Sequence, residues 1–328
     1  MGYQEQLLEI LELNRGTFLS GEALAKQMYV SRNAVWKAIK KLREAGYPIT
    51  AVTNKGYALA MDSDILSAAS IAAQSANADR LHIRVESCVT STNTLLKEEA
   101  AKGAPEGTLL VSLEQTAGRG RMGRTFLSPK QTGIYMSLIL RPRMEAKDAL
   151  MLTTSVAVAV CETISELTGR EAGIKWVNDI FLDGRKVCGI LTEASIDFET
   201  QGLEYAVVGL GVNLSDPQGG FDKSISGIAG SLFSEQAIPM GFREKLIAGI
   251  VDRFLYHYDH LLERSFLESY RAHSILIGRL VTVIDNIHAS GESRRARVLA
   301  IEDDCSLLVE LPDGTQEKLS SGEVSLKL

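Results

Sequence analysis

The stretch Gly118-Arg119-Gly120-Arg121-Met122-Gly123-Arg124 sets three glycines and three arginines in one turn-prone run. It lies between an apolar segment that ends near Gln115 and another that starts near Ile134. Glycine lets a backbone approach a ligand closely and adopt positive φ. Arginine supplies a planar, permanently charged fork that matches phosphate and carboxylate oxygens. The run reads as a loop that folds over an anion, with a solvated basic loop as the plainer alternative. Gly118, Gly120 and Gly123 also satisfy G-x-G-x-x-G, a dinucleotide fingerprint only where a strand precedes it and a helix follows. Here Thr125-Phe126-Leu127-Ser128-Pro129 follows, then the strand-like run Gly133 to Leu140. Nothing opens a helix and no G-K-[ST] is present, so the Rossmann and P-loop readings fail on context.

On the N-terminal side of this loop, Leu109 to Leu113 reads as a strand and Thr94 to Lys102 as a helix. Ser91-Thr92-Asn93 sits at the strand-to-helix junction, where hydroxyls and an amide either hold a small polar ligand or cap the helix. An alanine-rich helix is expected over Ile65 to Ala76 and a strand over His82 to Val85. On the C-terminal side, Lys147 to Leu167 has the apolar stripe of a long helix. Gly173 to Leu182 reads as a strand interrupted by a polar patch. Asp183-Gly184 then turns the chain into Arg185 to Leu191, which brings Lys175 and Lys186 beside Asn178 and Asp179. Ala206 to Leu214 is another apolar strand, closing on Asn213. Strands and helices do not alternate strictly, so a mixed sheet with helices against it is expected.

Composition sets the frame. The 328 residues are 45% hydrophobic and 23% charged with seven prolines, a globular mixture long enough for two or three domains. No stretch of about 18 apolar residues is evident, and the first residues lack a signal peptide's basic and apolar regions. Cys88, Cys161, Cys188 and Cys305 are scattered, as expected for free thiols in a reducing cytoplasm. His257 and His260 form a close pair without a third metal ligand. Net charge is −6, yet Arg32, Lys37, Lys40, Lys41 and Arg43 face only Glu44 between Ser31 and Ala45. Such local basicity in an acidic chain marks a nucleic-acid surface.

The first 62 residues fit that surface. Leu7, Leu8, Ile10 and Leu11 recur at helical spacing, a short helix runs from Glu22 to Met28, and Ser31 is a natural N-cap for a third. On that helix Val35, Ala38, Ile39 and Leu42 share one face, with Arg32, Asn33, Trp36, Lys37, Lys40 and Lys41 opposite. Two short helices joined by a turn, the second basic, make a helix-turn-helix. Ile49 to Val52 and Gly56 to Leu59 flank Thr53-Asn54-Lys55 as a hairpin wing. A plain helical bundle with a solvated basic face is the competing account.

Ser91-Thr92-Asn93, the glycine-arginine loop, Lys175-Trp176-Val177-Asn178-Asp179, Lys186-Val187-Cys188-Gly189-Ile190-Leu191 and Gly211-Val212-Asn213 occur in the order seen in biotin protein ligases. With the helix-turn-helix in front, the whole chain resembles the bifunctional members that also repress biotin synthesis genes. The resemblance implies an α+β multidomain protein: winged helix-turn-helix over 1–62, a class II synthetase-like mixed-sheet ligase domain over 63–274, and an SH3-like barrel over 275–328. For the last, short strands are expected at Arg279 to Ile284, Arg295 to Ile301, Ser306 to Leu311 and Gln316 to Leu319.

The same resemblance implies a reaction. Biotin's carboxylate is activated by ATP with Mg²⁺, biotinyl-5′-AMP is held, and biotin passes to a lysine of a carboxylase acceptor domain. Ser91, Thr92, Asn93, Gln115, Gly118, Gly120 and Gly189 match positions around biotin and its adenylate. Arg119, Arg121 and Lys186 match the cations, Lys186 as the bridge between carboxylate and α-phosphate. Lys175, Asn178, Asp179 and Asn213 match the nucleotide side. Ser31, Arg32, Asn33, Trp36, Lys37, Lys40 and Lys41 would face operator DNA, bound by a liganded homodimer in the cytoplasm, with no membrane role. The family commonly has proline at Val177 and often a basic residue at Met122. A biotin sensor without catalysis and a lipoate or other acyl ligase are the competing readings.

Overall fold

In a computed structural model, the structure describes residues 2–197, 199–234, 236–284, 293–320 and 323–325. The chain divides into two compact units, Met1–Val85 with Ile238–Gly249, and Glu86–Ala237 with Ile250–Leu328.

The first unit begins with α1 (Tyr3–Leu13), α2 (Gly21–Gln27) and α3 (Arg32–Glu44), followed by the hairpin β1 (Ile49–Val52) and β2 (Gly56–Leu59). Ser20 and Ser31 cap α2 and α3, their side chains accepting from Ala23 N at 3.0 Å and Ala34 N at 3.1 Å. Leu7, Leu11, Leu24, Val35, Ile39 and Leu59 close the core that these elements share, which supplies most of their helical stability. The hairpin pairs Val52 with Gly56. Leu19 exchanges backbone hydrogen bonds with Tyr57, adding a third short extended segment to the wing. Gly56 has φ of 106°, and a Cβ there would lie 2.0 Å from Leu19 O, so only glycine fits. The alanine-rich helix is shorter than its composition suggests. Only α4 (Ala68–Ala72) forms, its start set by Ser67 and Ser70, which cap each other's backbone amides in a capping box. Strand β3 (His82–Glu86) follows.

The second unit contains α5 (Thr92–Ala101), β4 (Thr108–Ser112), β5 (Gly133–Leu140), α6 (Leu150–Thr168), β6 (Gly173–Lys175), β7 (Asp179–Leu182), β8 (Arg185–Ile196) and β9 (Leu203–Asn213). Strands β4, β5, β9, β8, β7 and β6 lie side by side in that order, each pair antiparallel. Parallel pairing enters at isolated bridges, Val89 to Gln115, Ile174 to Ser274 and Lys186 to Ala229. The expected single strand over Gly173 to Leu182 is two strands folded on each other, with Ile174 opposite Ile180. The polar patch is their turn, and its Trp176–Val177 peptide is cis. Helix α5 packs on β5 and β9. Helix α6, with residues 146–149 before it, is long and apolar enough to cross a membrane, but it is mostly buried in this unit.

Helices α7 (Phe242–Asp259) and α8 (Phe266–Ala272) follow in the chain. The C-terminal strands are β10 (Leu280–Ile284), β11 (Ser293–Ile301), β12 (Leu307–Glu310), β13 (Gln316–Leu319) and β14 (Glu323–Ser325). They form an antiparallel sheet in the order β13-β12-β11-β10-β14. The four expected strands are present within two residues. Strand β14 was not expected, and the turn Asn286 to Ser290 lies outside the described residues.

Candidate active site

The sheet register brings the separated motifs into one row. Lys175 pairs with Asp179, Asp179 with Gly189, Gly189 with Gly211, and Gly211 with Tyr135. Over this row lies a cavity of about 600 Å³ lined by residues of every motif, including Ser91, Asn93, Gln115, Arg119, Arg121, Lys175, Lys186 and Asn213. All fourteen candidate ligand residues except Gly118 line it. The floor is glycine because it must be low. A Cβ on Gly211 would lie 2.3 Å from the Phe126 ring.

One end of the cavity is neutral and polar. Ser91 caps α5 loosely, accepting from Thr94 N at 3.4 Å. Thr92 and Asn93, in the first turn, are 3% exposed. Thr92 N donates to Gln115 Oε1 at 2.9 Å, and Gln115 Nε2 donates to Ser128 Oγ at 2.9 Å. Ser137 Oγ donates to Asn93 Oδ1 at 2.6 Å and lies 2.7 Å from Thr92 Oγ1. Ser137 holds one proton, so its donation to Asn93 leaves it an acceptor toward Thr92. Ser91 thus caps α5, and it lines the cavity together with Thr92, Asn93 and Gln115.

The other end is charged. Lys186 Nζ lies 2.6 Å from Asp179 Oδ1. Arg121 Nη1 donates to Asn178 Oδ1 at 3.0 Å, and Asn178 Nδ2 donates to Ile190 O at 2.8 Å. The arginine loop is thus tied to the Lys-Trp-x-Asn-Asp turn. The loop closes on itself through Gly120 N to Arg124 O at 2.7 Å and Phe126 N to Gly118 O at 2.9 Å. Of its glycines only Gly123 has positive φ, at 74°; Met122 adopts φ of 59° without being glycine. Gly118 serves close approach, since a Cβ there would lie 2.3 Å from Phe126 O. Trp176 Nε1 donates to Cys305 O at 2.9 Å, and Tyr270 Oη to Val177 O at 3.1 Å. These bonds brace the turn from behind.

Several cavity residues were not anticipated. Phe126 stacks edge-on against Tyr135, whose buried phenol is pushed up to about 12 by desolvation. Ser137, behind the cavity wall, is the one serine in the apolar run of β5. Pro217, Phe221, Asp222, Ile225 and Ile228 line the cavity from a segment whose irregular, Gly- and Ser-rich sequence gives no periodic signal. The thiols of Cys161, Cys188 and Cys305 are buried and Cys88 is exposed, all four free. Burial pushes the Cys305 thiol up to about 11 and that of Cys188 higher. His260 engages Tyr256 O at 2.9 Å while His257 lies 3.8 Å from Glu162, so the pair does not converge on one point.

In the first unit, α3 buries Val35, Ala38, Ile39 and Leu42 and leaves Trp36 52% exposed. Arg32, Asn33, Lys37, Lys40 and Lys41 are exposed. Lys40 Nζ lies 6.0 Å from the Trp36 ring and 3.9 Å from Glu44. Ser31, being the cap of α3, has its side chain engaged.

Residues 85–213 match the biotin/lipoate A/B protein ligase family, residues 4–58 an HTH domain, and residues 276–327 the biotin protein ligase C terminal domain. The bifunctional ligase/repressor BirA of Bacillus subtilis strain 168 is 33% identical over 330 residues, covering 98% of each chain. That of Escherichia coli K12 is 32% identical over 203 residues, 62% of this chain and 61% of its own. A biotin protein ligase from Aquifex aeolicus, solved in complex with biotin and ATP, shares the fold with a TM-score of 0.62 and 24% identity, over 74% of this chain and 97% of its own. With an alignment that spans the chain from helix-turn-helix to C-terminal sheet, and with the motifs gathered on one cavity, the chain belongs to the family of bifunctional biotin ligase/repressors.

Proposed function

We propose that the chain joins biotin to ATP, holds biotinyl-5′-AMP, transfers biotin to an acceptor lysine, and in its liganded form represses transcription. The observation that carries the first steps is a single cavity with a neutral hydroxyl–amide end and a cationic end. The neutral end, Thr92, Asn93 and Gln115, suits the N–H and carbonyl groups of a ureido ring better than the apolar dithiolane of lipoate. The cationic end brings Arg119, Arg121 and Lys186 to where a carboxylate must approach a phosphate. Two anions meeting there repel, and fixed cations offset that repulsion as charge develops.

In the first step a carboxylate oxygen attacks the α-phosphorus, the α–β anhydride bond breaks, and pyrophosphate leaves. Lys186 leaves Asp179 to bridge the two reacting groups. Arg121, held by Asn178, fixes the adenylate's phosphate. In the second step a neutral lysine amine attacks the acyl carbon and AMP departs with the bonding pair. No group of three His, Cys, Asp or Glu side chains converges among the described residues. Mg²⁺ brought in with ATP would neutralise phosphate charge, and Asp179 and Asp222, which line the cavity, are the carboxylates that would hold it. The glycine-arginine loop orders over the mixed anhydride and shields it from water. Ligand is expected to suppress tryptic cleavage near Arg119; undiminished cleavage would count against closure.

The segments 1–62, 63–274 and 275–328 divide the work into DNA binding, ligation and support. Helix α3 presents Arg32, Asn33, Trp36, Lys37, Lys40 and Lys41 to the major groove of operator DNA, and a liganded homodimer spans two half-sites. The acceptor is the biotin domain of a carboxylase, and the setting is the cytoplasm.

The test is biotin-dependent exchange of labelled pyrophosphate into ATP with Mg²⁺, for the intact protein and Lys186→Ala. Exchange that requires biotin and falls by at least about a hundredfold in the variant is expected, the scale of a lost charge-stabilising group. Biotin binding without exchange in the intact protein would leave a sensor.

A further inference from the structure

Strand β8 carries a carboxylate that the ligation chemistry above does not use. Glu193 follows Gly189 and Leu191 on one face of β8, since side chains alternate along a strand. It does not line the cavity, although Leu191 does. Its Oε1 lies 2.6 Å from Lys97 Nζ and 3.5 Å from Arg119 Nη1. Its Oε2 accepts from Asn93 Nδ2 at 3.1 Å, a nitrogen that also donates to Leu191 O at 3.2 Å. A cation of the arginine loop, a cation of α5 and the amide of the neutral end thus converge on one carboxylate behind the cavity wall. Its side chain is 17% exposed. Burial would raise its pKa, but hydrogen bonds from Lys97 and Asn93 and the charges of Lys97 and Arg119 outweigh that and lower it. Glu193 is ionised at neutral pH.

We propose that Glu193 is a positioning residue of the adenylation site, holding the Arg119 guanidinium and the Asn93 amide from outside the cavity so that both ends are set before ligand arrives. The inference rests on the reading of Arg119 and Asn93 as ligand contacts. Arg119 is 47% exposed on its loop and has five N–H donors in a rigid fork. Its long contact to Glu193 restrains the side chain while leaving donors for an incoming carboxylate. The tight contact to Lys97 keeps Glu193 itself from following Arg119 into the cavity. Fixing a long cation in advance removes an ordering cost from binding. Because the restraint acts on the carboxylate-binding cation and on the neutral end, it bears on biotin and not on ATP.

The test compares wild type, Glu193→Gln, Arg119→Ala and the double variant by calorimetric titration with biotin and by pyrophosphate exchange. Gln keeps the shape but loses the charge and one of the two acceptor oxygens, so it can accept from Lys97 or from Asn93 but not from both. Biotin binding in E193Q is expected to weaken by about tenfold, the scale of one immobilised side chain, with the KM for ATP unchanged within about twofold. In the R119A background the same substitution is expected to cost less, because only the restraint on Asn93 then remains to be lost. Unchanged biotin affinity in E193Q, or an equal loss in both backgrounds, overturns the inference. Should E193Q fail to fold, Glu193→Asp keeps the charge at shorter reach: weaker biotin binding with an unchanged KM for ATP supports the positioning role, and unchanged biotin affinity overturns it. A wild-type protein that takes up no biotin overturns the ligase reading and this inference together. Wild-type binding with an indifferent E193Q overturns this inference alone.

Discussion

At Gly209 the absence of a side chain is a requirement of the site. A Cβ there would lie 1.8 Å from Asn93 Oδ1 and 3.1 Å from Ser137 Oγ. Gly209→Ala must therefore displace the Asn93 amide and break its 2.6 Å bond from Ser137. Overpacking of this kind costs about 1–3 kcal/mol of stability, and the lost amide is expected to weaken biotin binding by at least about tenfold, as for a polar contact left unmade. Calorimetry with biotin, beside a urea melt to separate the two effects, is the check; wild-type affinity would remove Asn93 from the neutral end. The alternation Val208-Gly209-Leu210-Gly211 was readable as a strand, but not its purpose. The clash that demands glycine comes from α5 and from Phe126, and such long-range approaches leave no local mark in a sequence.

Elements were legible where local chemistry and burial agree. Helices α2 and α3 begin at serine caps, and the buried face of α3 is the one that its 3.6-residue period marks out. Legibility failed where a polar stretch had two uses. The patch inside Gly173 to Leu182 reads as an interruption of one strand, yet it is the turn between β6 and β7, braced by Tyr270 and by Cys305 from near the C-terminus. Helix α3 also carries a prediction of its own. Trp36 is outside the core cluster of its unit, so Trp36→Ala is expected to change stability by less than about 0.5 kcal/mol. If it meets base edges, the variant loses discrimination between operator and random DNA. Lys37→Ala, by contrast, is expected to weaken binding to all sequences and reduce the salt slope by about one, as for a phosphate contact. Fluorescence titrations against operator and scrambled duplexes at several salt concentrations separate these outcomes. Equal losses on both duplexes for W36A would make Trp36 a backbone contact.

The whole molecule shows a boundary that no linear reading supplies. Residues Ile238–Gly249 belong to the compact unit that begins with the winged helices, and ion pairs join them to it. Arg15 bonds Glu12 Oε2 at 2.6 Å and Ser63 O at 2.9 Å, and lies 3.6 Å from Glu244; Arg243 lies 3.1 Å from Asp64. The Glu12 and Glu244 side chains are 1% and 3% exposed. Breaking a buried pair strands a charge, at about 3–5 kcal/mol, so Arg15→Ala is expected to lower the melting temperature of this unit well beyond an ordinary surface change. Desolvation raises the Glu244 pKa despite the favourable charge of Arg15. A carboxylate raised in the folded state binds more protons folded than unfolded between its unfolded and folded pKa values. In that window, above about 4.3, stability falls as pH rises. Lowering the pH from neutral toward 5 is therefore expected to raise the unit's denaturation midpoint. Glu193, whose pKa is lowered, loses its contribution only at more acid pH, so the two effects do not overlap. Glu244→Gln should flatten the profile and leave the unit at least as stable as wild type at neutral pH. Urea midpoints at half-unit pH intervals, read by circular dichroism, decide the matter: a profile unchanged by E244Q, or a wild-type midpoint that falls between pH 7 and 5, would place the pH response elsewhere than at Glu244.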